Sequence, residues 1–283
     1  GGFNEIILAS WNHLRQQQHN LPGSEEQTLR THSFLSLAHF FVTFVHLRLA
    51  AHGDEEPSLI PAVANIFDKH VFHWLRMTWD QFEQTKSVYG MVLVSGLVKE
   101  MFTFLETVVV KGGHADRFAC EALVAEILWS ESNDDFLHFL QNVVKRYDAN
   151  IAPLVYLANI VEGMHAASSL LKRVSPDAVT HGKEFFDERV VNNHVRLLAF
   201  WSMNSRALNA NLVAFLEHVV ESEMDHTLHE INNLQIIYSM ATAPGGGAGI
   251  KRVASAIICA FMKTLYTTGG GDFQKKKYVD MVF

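Results

Sequence analysis

The fold class is indicated most clearly by residues 87–110, which read SVYGMVLVSGLVKEMFTFLETVVV. Apolar side chains recur on almost every side of a helix drawn through this stretch. A helix that is apolar nearly all round must be covered on more than one side. We therefore predict a helix that lies inside a layer of other helices. Gly112 and Gly113 follow it and are expected to end it, because glycine adopts positive φ without strain.

On both sides of this helix, nearly every long segment has the helical spacing of apolar side chains, and none has the alternation typical of a strand. Ser24 with Gln27 predicts one helix start, and Ser132 with Asp135 predicts another. Pro153 is expected in the first turn of a further helix, after a turn predicted at residues 148–150. Ser175 with Pro176 is expected to begin another helix, as N-cap and first helical residue. The other predicted helical segments are residues 3–14, 24–51, 59–84, 115–129, 132–143, 153–173, 189–203, 207–223, 227–241, 251–267 and 273–283.

This number of helices, joined by short turns, predicts an all-α fold. Stacked antiparallel pairs cover a helix on both sides, so we predict an α-solenoid of the HEAT or armadillo kind, with a closed bundle as the alternative. The solenoid is expected to be a single helical-repeat domain over residues 1–283. The triplets Gly245–Gly247 and Gly269–Gly271 predict flexible or shortened loops near residues 243–250 and 268–272.

The composition limits the classes of function. Of 283 residues, 48% are hydrophobic and 19% are charged, and the formal net charge of −7 excludes a basic footprint over the whole chain. No apolar run reaches the roughly 20 residues that cross a bilayer, and no secretory signal is recognisable, so we expect a soluble intracellular protein without a membrane partner. Cys120 and Cys259 lie in apolar helical contexts and are expected in the core, in a reducing compartment.

The 16 histidines raise the question of metal binding. His32, His39 and His46 are spaced by seven residues and share one face of the predicted second helix. Neighbours in this series stand about 10.5 Å apart along the helix axis, too far to share an ion whose ligands lie about 2 Å from its centre. We therefore predict that these histidines form a polar seam between packed helices.

Two histidine pairs, His70 with His73 and His226 with His229, are spaced to reach one ion from one helix face, and an ordinary helix surface is the alternative. A zinc motif HExxH begins at His229, but Asn233 stands where its second histidine is required. No nucleophile signature and no complete phosphate-binding loop is present. We therefore expect no metal, no other cofactor and no enzymatic activity.

The sign of the charge reverses toward the end of the chain. Residues 217–230 contain five acids and neither Lys nor Arg, whereas residues 250–283 contain six bases and two acids. Bases that contact phosphates bind DNA in a salt-dependent manner and irrespective of its sequence. The predicted DNA-binding residues are Lys251, Arg252, Lys275, Lys276 and Lys277. The alternative is a solvated helix end, because cations are favoured near helix C-termini.

The order in which several stretches occur along the chain can be compared with the order of motifs in known families. They are Thr31-His-Ser-Phe-Leu-Ser-Leu-Ala-His-Phe-Phe-Val-Thr-Phe, Asp134-Asp-Phe-Leu-His-Phe-Leu, Lys145-Arg-Tyr-Asp, Tyr156-Leu-Ala-Asn-Ile-Val-Glu-Gly-Met-His, Lys183-Glu-Phe-Phe-Asp, residues 212–240 and Lys277-Tyr-Val-Asp-Met-Val-Phe. Read in order, they resemble the latter half of the conserved N-terminal region of the Timeless family of replication-fork proteins. That family has the same succession of an apolar helix, a basic-aromatic-Asp turn and a leucine-rich helix with a central acid and His.

The resemblance implies a non-enzymatic α-solenoid scaffold of the nuclear replication-fork protection complex. Members of the family pair with a small Tipin-like partner, lie near the replicative helicase, touch duplex DNA and support fork stability and S-phase checkpoint signalling. An insect branch of the family works in the circadian clock. Our second hypothesis is a HEAT- or armadillo-like transport or assembly adaptor without a role on DNA, and our third is a helical metalloenzyme built on histidines.

Overall fold

A computed structural model describes residues 2–17, 25–52, 60–128, 135–175, 187–243, 247–267 and 272–282. These residues contain helices and turns but no β-strand, so the predicted all-α fold is confirmed. The α-helices are α1 Gly2–Gln17, α2 Glu25–His52, α3 Lys69–Gln84, α4 Val88–Lys111, α5 His114–Leu128, α6 Phe136–Arg146, α7 Leu154–Val174, α8 Glu188–Leu198, α9 Arg206–Glu221, α10 Ile231–Thr242, α11 Ala248–Thr267 and α12 Asp272–Val282. The chain divides into two compact units: unit 1 is residues 1–143 with 148–180, and unit 2 is residues 144–147 with 181–283. That both belong to a single helical-repeat domain stays a prediction.

Helix α4 forms the centre of unit 1. It packs against α2, α3, α5 and α7, which confirms the prediction of a helix inside a layer. Its buried apolar side chains are Met91, Val94, Leu97, Val98, Met101, Phe102, Phe104, Leu105 and Val108. Gly112 follows the last residue of α4, but its φ is −73° and not positive as expected. A Cβ at Gly112 would lie 2.6 Å from the carbonyl oxygen of Val108, which explains the need for glycine there.

Aromatic rings join α1 and α2 to α3. The ring centroid of Trp11 lies 5.6 Å from that of Phe34 and 5.2 Å from that of Trp74. Ile7 and Leu14, one turn or so on either side of Trp11, are also buried. The buried residues of α1 therefore all belong to the apolar stripe predicted over residues 3–14.

The helix predicted over residues 59–84 is wrong in its first part. Ile60–Ala62 and Ala64–Phe67 form short 3-10 helices, and the α-helix begins only at Lys69. The backbone of Asp68 is extended, and its carboxylate accepts a hydrogen bond of 2.7 Å from the N–H of His70. This N-cap satisfies a free N–H of the first turn and fixes where α3 begins.

Other helix ends also differ from prediction. Helix α8 ends at Leu198 and does not continue to Met203. A 3-10 helix at Asp225–Leu228 precedes α10, which starts at Ile231. In unit 1, Pro153 lies just before α7 and not within its first turn.

The predicted turns and loops are described in part. The turn at residues 148–150 is confirmed, because the Asp148 carboxylate accepts a hydrogen bond of 2.8 Å from the N–H of Asn150. Ser175, predicted to begin a helix with Pro176, instead ends α7, while Pro176 lies outside the described residues. All glycines of the two triplets except Gly247 also lie outside them.

Helix α10 occupies a central position in unit 2, where it packs against α8, α11 and α12. Helix α9 packs against α8 and α11. The side-chain nitrogen of Asn193 donates a hydrogen bond of 2.7 Å to the carbonyl oxygen of Val144, which fixes residues 144–147 to α8. The Arg196 guanidinium lies 5.8 Å from the ring centroid of Tyr147 and strengthens the same contact.

The expectation that no segment is long and apolar enough for a bilayer is wrong. Among the described residues, three helices meet that criterion by length and composition: α2 over Glu25–Ala51, α4 and α7. The sequence reading missed them because single His, Ser and charged residues interrupt the apolar runs without lowering the mean hydropathy much. In the structure, 61% of the apolar window of α4 and 67% of that of α7 are buried within the protein, against 33% for α2.

The two cysteines differ in their surroundings. Cys120 is buried in α5, as predicted, and its Sγ lies 3.6 Å from the carbonyl oxygen of Leu105. Burial, and to a smaller extent the charge of Glu121, raises the pKa of the Cys120 thiol to about 12. Cys259 is exposed on α11, so the prediction that it belongs to the core is wrong.

Candidate nucleic-acid interface

The five predicted DNA-contacting residues lie on two helices of unit 2. Lys251 and Arg252 are in the first turns of α11, and Lys275, Lys276 and Lys277 are in α12. Arg252, Lys276 and Lys277 are exposed, whereas Lys251 and Lys275 are half-buried.

Arg252 forms an ion pair with an acid of the acidic segment, residues 217–230. Its guanidinium forms an ion pair with the carboxylate of Glu217 in α9. Farther along α9, Glu221 lies 3.8 Å from His218. The reversal of charge seen in the sequence is therefore compensated in part within unit 2, at the N-terminal end of α11.

Lys275 lies near the opposite end of α11. Its Nζ is 5.8 Å from the ring centroid of Tyr266, which belongs to the last turn of α11. Arg252 and Tyr266 are about 21 Å apart along the helix axis at 1.5 Å per residue. The structure thus brings Lys275 together with the C-terminal end of α11 and keeps Arg252 at a distance.

Sequence reasoning missed three residues of this surface. Lys263 and Tyr266 are exposed on the last turns of α11, and Tyr278 is 47% exposed on α12. Two signals point to them in the sequence: α11 has three bases and no acid, and Lys263 and Tyr266 have the i,i+3 spacing of neighbours on one face. The contact of Tyr266 with Lys275 depends on how α12 packs and has no sequence signal.

A groove of about 1070 Å³ opens beside the Arg252–Glu217 pair. Its walls come from α9, the end of α10, the start of α11 and the segment after α8. Small residues such as Ala210 and Gly249 give it width, and Trp201 and Arg206 line its edge. Among the described residues, its lining contains neither His nor Cys.

The three histidines of α2 all face α4, so the predicted polar seam is confirmed. The two ring nitrogens of His46 lie 2.6 Å from the Glu100 carboxylate and 2.9 Å from the Thr107 hydroxyl. His39 approaches α4 at Gly96, and the ring of His32 packs against that of Tyr89 with centroids 5.0 Å apart.

Electrostatics in this seam keep its acid ionised. Burial opposes the charge of Glu100, but the hydrogen bond and charge of His46, together with Lys99, outweigh it and hold the pKa of Glu100 below its ordinary value. Burial lowers the pKa of His39 and of His32. The arrangement joins α2 to α4, and the Nε2 of His32 is buried there without a hydrogen-bond partner among the described residues.

The two histidine pairs considered for a metal belong to different units. His70 and His73 are exposed on α3. His226 is exposed, and the ring of His229 lies 5.4 Å from that of Phe261. Within the described ranges, no group of three or more His, Cys, Asp or Glu side chains has a geometry that would hold a metal ion.

The chain matches no protein-family model and no curated protein sequence.

Proposed function

We propose that this chain is a non-enzymatic scaffold of the nuclear replication-fork protection complex. As a Timeless-type subunit, it binds a small Tipin-like partner and replisome proteins, makes weak sequence-independent contact with DNA, and supports fork stability and S-phase checkpoint signalling. Its helices are arranged as an α-solenoid.

The observation that carries this proposal is the order of motifs between residues 134 and 165, which resembles that of the Timeless family. Several of these residues build the fold. Asp135 accepts a hydrogen bond of 2.9 Å from the N–H of His138 in the first turn of α6, and Asp148 closes the next turn. The Tyr156 hydroxyl accepts a hydrogen bond from Trp79 Nε1 and donates one to Glu83. Residues that determine helix order are those expected to persist in a scaffold family.

The partner-binding part of the proposal is supported by an exposed apolar stripe on α2. It consists of Leu29, Phe40, Phe44 and Leu47, which are 66%, 62%, 40% and 65% exposed. Their helical spacing sets them on one face, where Phe40, Phe44 and Leu47 are adjacent and Leu29 lies about three turns earlier. Exposed apolar patches often mark protein interaction sites. The same stripe also favours the second candidate, a transport or assembly adaptor that has no role on DNA.

Co-expression with a Tipin-like subunit separates the two candidates. The proposed scaffold is expected to form a stable one-to-one complex that survives size-exclusion chromatography. Replacing Phe40 and Leu47 by Glu tests whether the α2 stripe takes part, and Lys172→Glu on α7 is a matched surface control. If the full chain and the Tipin-like subunit elute separately, the fork-protection proposal is wrong and the adaptor is favoured.

The DNA contact is tested on α12. The double variant Lys276→Glu with Lys277→Glu is expected to weaken binding to any duplex about tenfold at low salt, because two phosphate contacts are replaced by repulsion. The reduction should be the same for duplexes of different sequence, and affinity of the unmodified chain should fall steeply with added salt. Fluorescence anisotropy with labelled duplexes measures both effects.

The control is Lys172→Glu with Arg173→Glu, which makes the same change of charge on two adjacent exposed residues of α7. This control should bind DNA as the unmodified chain does. Equal affinities for the α12 variant and the unmodified chain would contradict the assignment of the lysines to DNA.

A further inference from the structure

The junction of α11 and α12 presents lysines and tyrosines side by side. The Nζ of Lys275 lies over the ring of Tyr266, 5.8 Å from its centroid. Tyr278 is three residues after Lys275, and side chains at this spacing are neighbours on one helix face. The ring of Tyr266 therefore lies beside Lys275, and Tyr278 is on the face of α12 that carries Lys275.

The outer face of α11 continues this surface. Arg252, Cys259, Lys263 and Tyr266 follow one another at i, i+7, i+11 and i+14 and are all exposed. Helix α11 contains no acidic residue that would repel a phosphate. Arg252, at the far end, is paired with Glu217, so the positive charge on this face is concentrated near Lys263 and Lys275.

The side chains of these two tyrosines are much more exposed than that of a tyrosine packed in the core. Tyr266 is 62% exposed and Tyr278 is 47% exposed, whereas Tyr156 in unit 1 is 1% exposed. An exposed aromatic ring amid lysines offers a platform for stacking next to charges that attract phosphates. This combination of flat rings and cations is the one that binds unpaired nucleotides.

We propose that this surface, formed by Lys263, Tyr266, Lys275 and Tyr278, binds single-stranded nucleic acid. Bases stack on the two tyrosine rings, and the lysines contact the phosphates of the same strand. The inference rests on the proposed contact with DNA and adds to it the kind of strand that the surface prefers.

Stacking explains why a single strand is preferred here. In a duplex the flat faces of the bases are covered by their neighbours, so only phosphates are within reach of this surface, and the tyrosines add nothing. In a single strand the base faces are available, and stacking on an aromatic side chain adds affinity with little dependence on sequence.

The experiment compares three fluorescent probes by anisotropy with the full chain. They are an oligothymidine of about 20 nucleotides, which exceeds the roughly 4–16-nucleotide sites of single-strand-binding folds, an abasic strand of the same length, and a duplex of the same length. The unmodified chain is expected to bind the oligothymidine at least fivefold more tightly than the abasic strand. Tyr266→Ala and Tyr278→Ala should each weaken oligothymidine binding roughly fivefold or more and leave binding to the abasic strand unchanged.

Two variants control for effects that do not involve stacking. Tyr266→Phe retains the ring and should bind oligothymidine as the unmodified chain does. Tyr89→Ala removes a tyrosine of unit 1 that is equally exposed, at 61%, and should leave oligothymidine binding unchanged even if the loss of its contact with His32 lowers stability. Circular dichroism verifies that each variant keeps its helical content.

The outcomes distinguish this inference from the proposed function. If the alanine variants bind oligothymidine normally while Lys276→Glu with Lys277→Glu weakens every probe, the surface contacts only the phosphate backbone; the inference is then overturned and the proposed DNA contact stands. Failure to bind any of the three probes at low salt would overturn both.

Discussion

His194 shows how a single residue of unit 2 depends on its environment. It is fully buried in α8, where its Nδ1 lies 2.7 Å from the carbonyl oxygen of Val190. Its ring stacks on that of Phe215, with centroids 3.7 Å apart. Burial lowers the pKa of His194 from 6.5 to about 4, because the charged form has lost its water, and the hydrogen bond to Val190 offsets only part of this loss.

We predict that the free energy of unfolding falls between pH 6.5 and about pH 4. In that window the unfolded chain takes up a proton on His194 and the folded chain does not, so stability is complete above pH 6.5 and decreases as the pH is lowered. The loss due to His194 is of the order of 3 kcal/mol. Urea unfolding of the full chain, followed by circular dichroism in a series of buffers, measures it.

The control for this prediction is His70, which is exposed. His194→Gln should reduce the slope of stability against pH by about one proton in the acid range, whatever its effect at pH 7. His70→Gln should leave the slope as it is. A slope unchanged in His194→Gln would show that other groups cause the loss of stability.

The sequence predicts whether a given side chain is buried only where the elements that cover its helix face are known. Cys120 and Cys259 have similar apolar surroundings along the chain, yet one is buried and the other exposed. Cys259 lies on the same face as Arg252 and Lys263, and this face has no covering helix among the described residues. The spacing of the charged residues was the better guide, and local apolar content was misleading.

At the scale of elements, the N-cap of α3 illustrates how a polar side chain determines the extent of a helix. Residues 60–67 have a helical apolar pattern, but they form two short 3-10 helices, and the extended backbone of Asp68 separates them from α3, which Asp68 caps. The sequence contains this signal, since aspartate is a favoured N-cap residue. The apolar spacing on either side of Asp68 hides it.

Asp68→Ala is expected to lower the free energy of unfolding by about 1 kcal/mol, because the N–H of His70 then loses its acceptor. Asp68→Asn keeps an oxygen at the same place and should lose much less. Thermal unfolding of both variants, followed by circular dichroism, compares the two. Equal losses in both would mean that charge, and not the cap, stabilises the start of α3.

At the scale of the molecule, the sequence predicted the helices and the central place of α4 far better than their grouping. The sequence of residues 88–111 predicts an apolar helix that must be covered by neighbours, but it does not predict which helices those are. The neighbours are decided by close approaches such as that of Gly163 in α7, where a Cβ would lie 3.4 Å from the Cα of Lys99 in α4. Such approaches depend on how the helices pack, and the spacing of apolar residues along the chain does not predict them.

The crossing of α4 and α7 allows a test of this packing. Gly163→Ala should be tolerated, because a methyl group at that distance makes ordinary van der Waals contact with Lys99. Gly163→Leu should lower the stability of unit 1 by about 1–3 kcal/mol or more, because the larger side chain forces the two helices apart. Urea unfolding of both variants gives the difference. Similar stability for Gly163→Leu and Gly163→Ala would show that the crossing has more room than the structure indicates.

The different surroundings of the two thiols make the molecule convenient to label. Cys120 reacts slowly because it is buried and its pKa is about 12, and the chain has no other cysteine besides Cys259. A maleimide dye is therefore expected to attach to Cys259 alone. The dye would sit about 6 Å along the helix axis from Lys263, where its emission can report an arriving strand without any engineered residue.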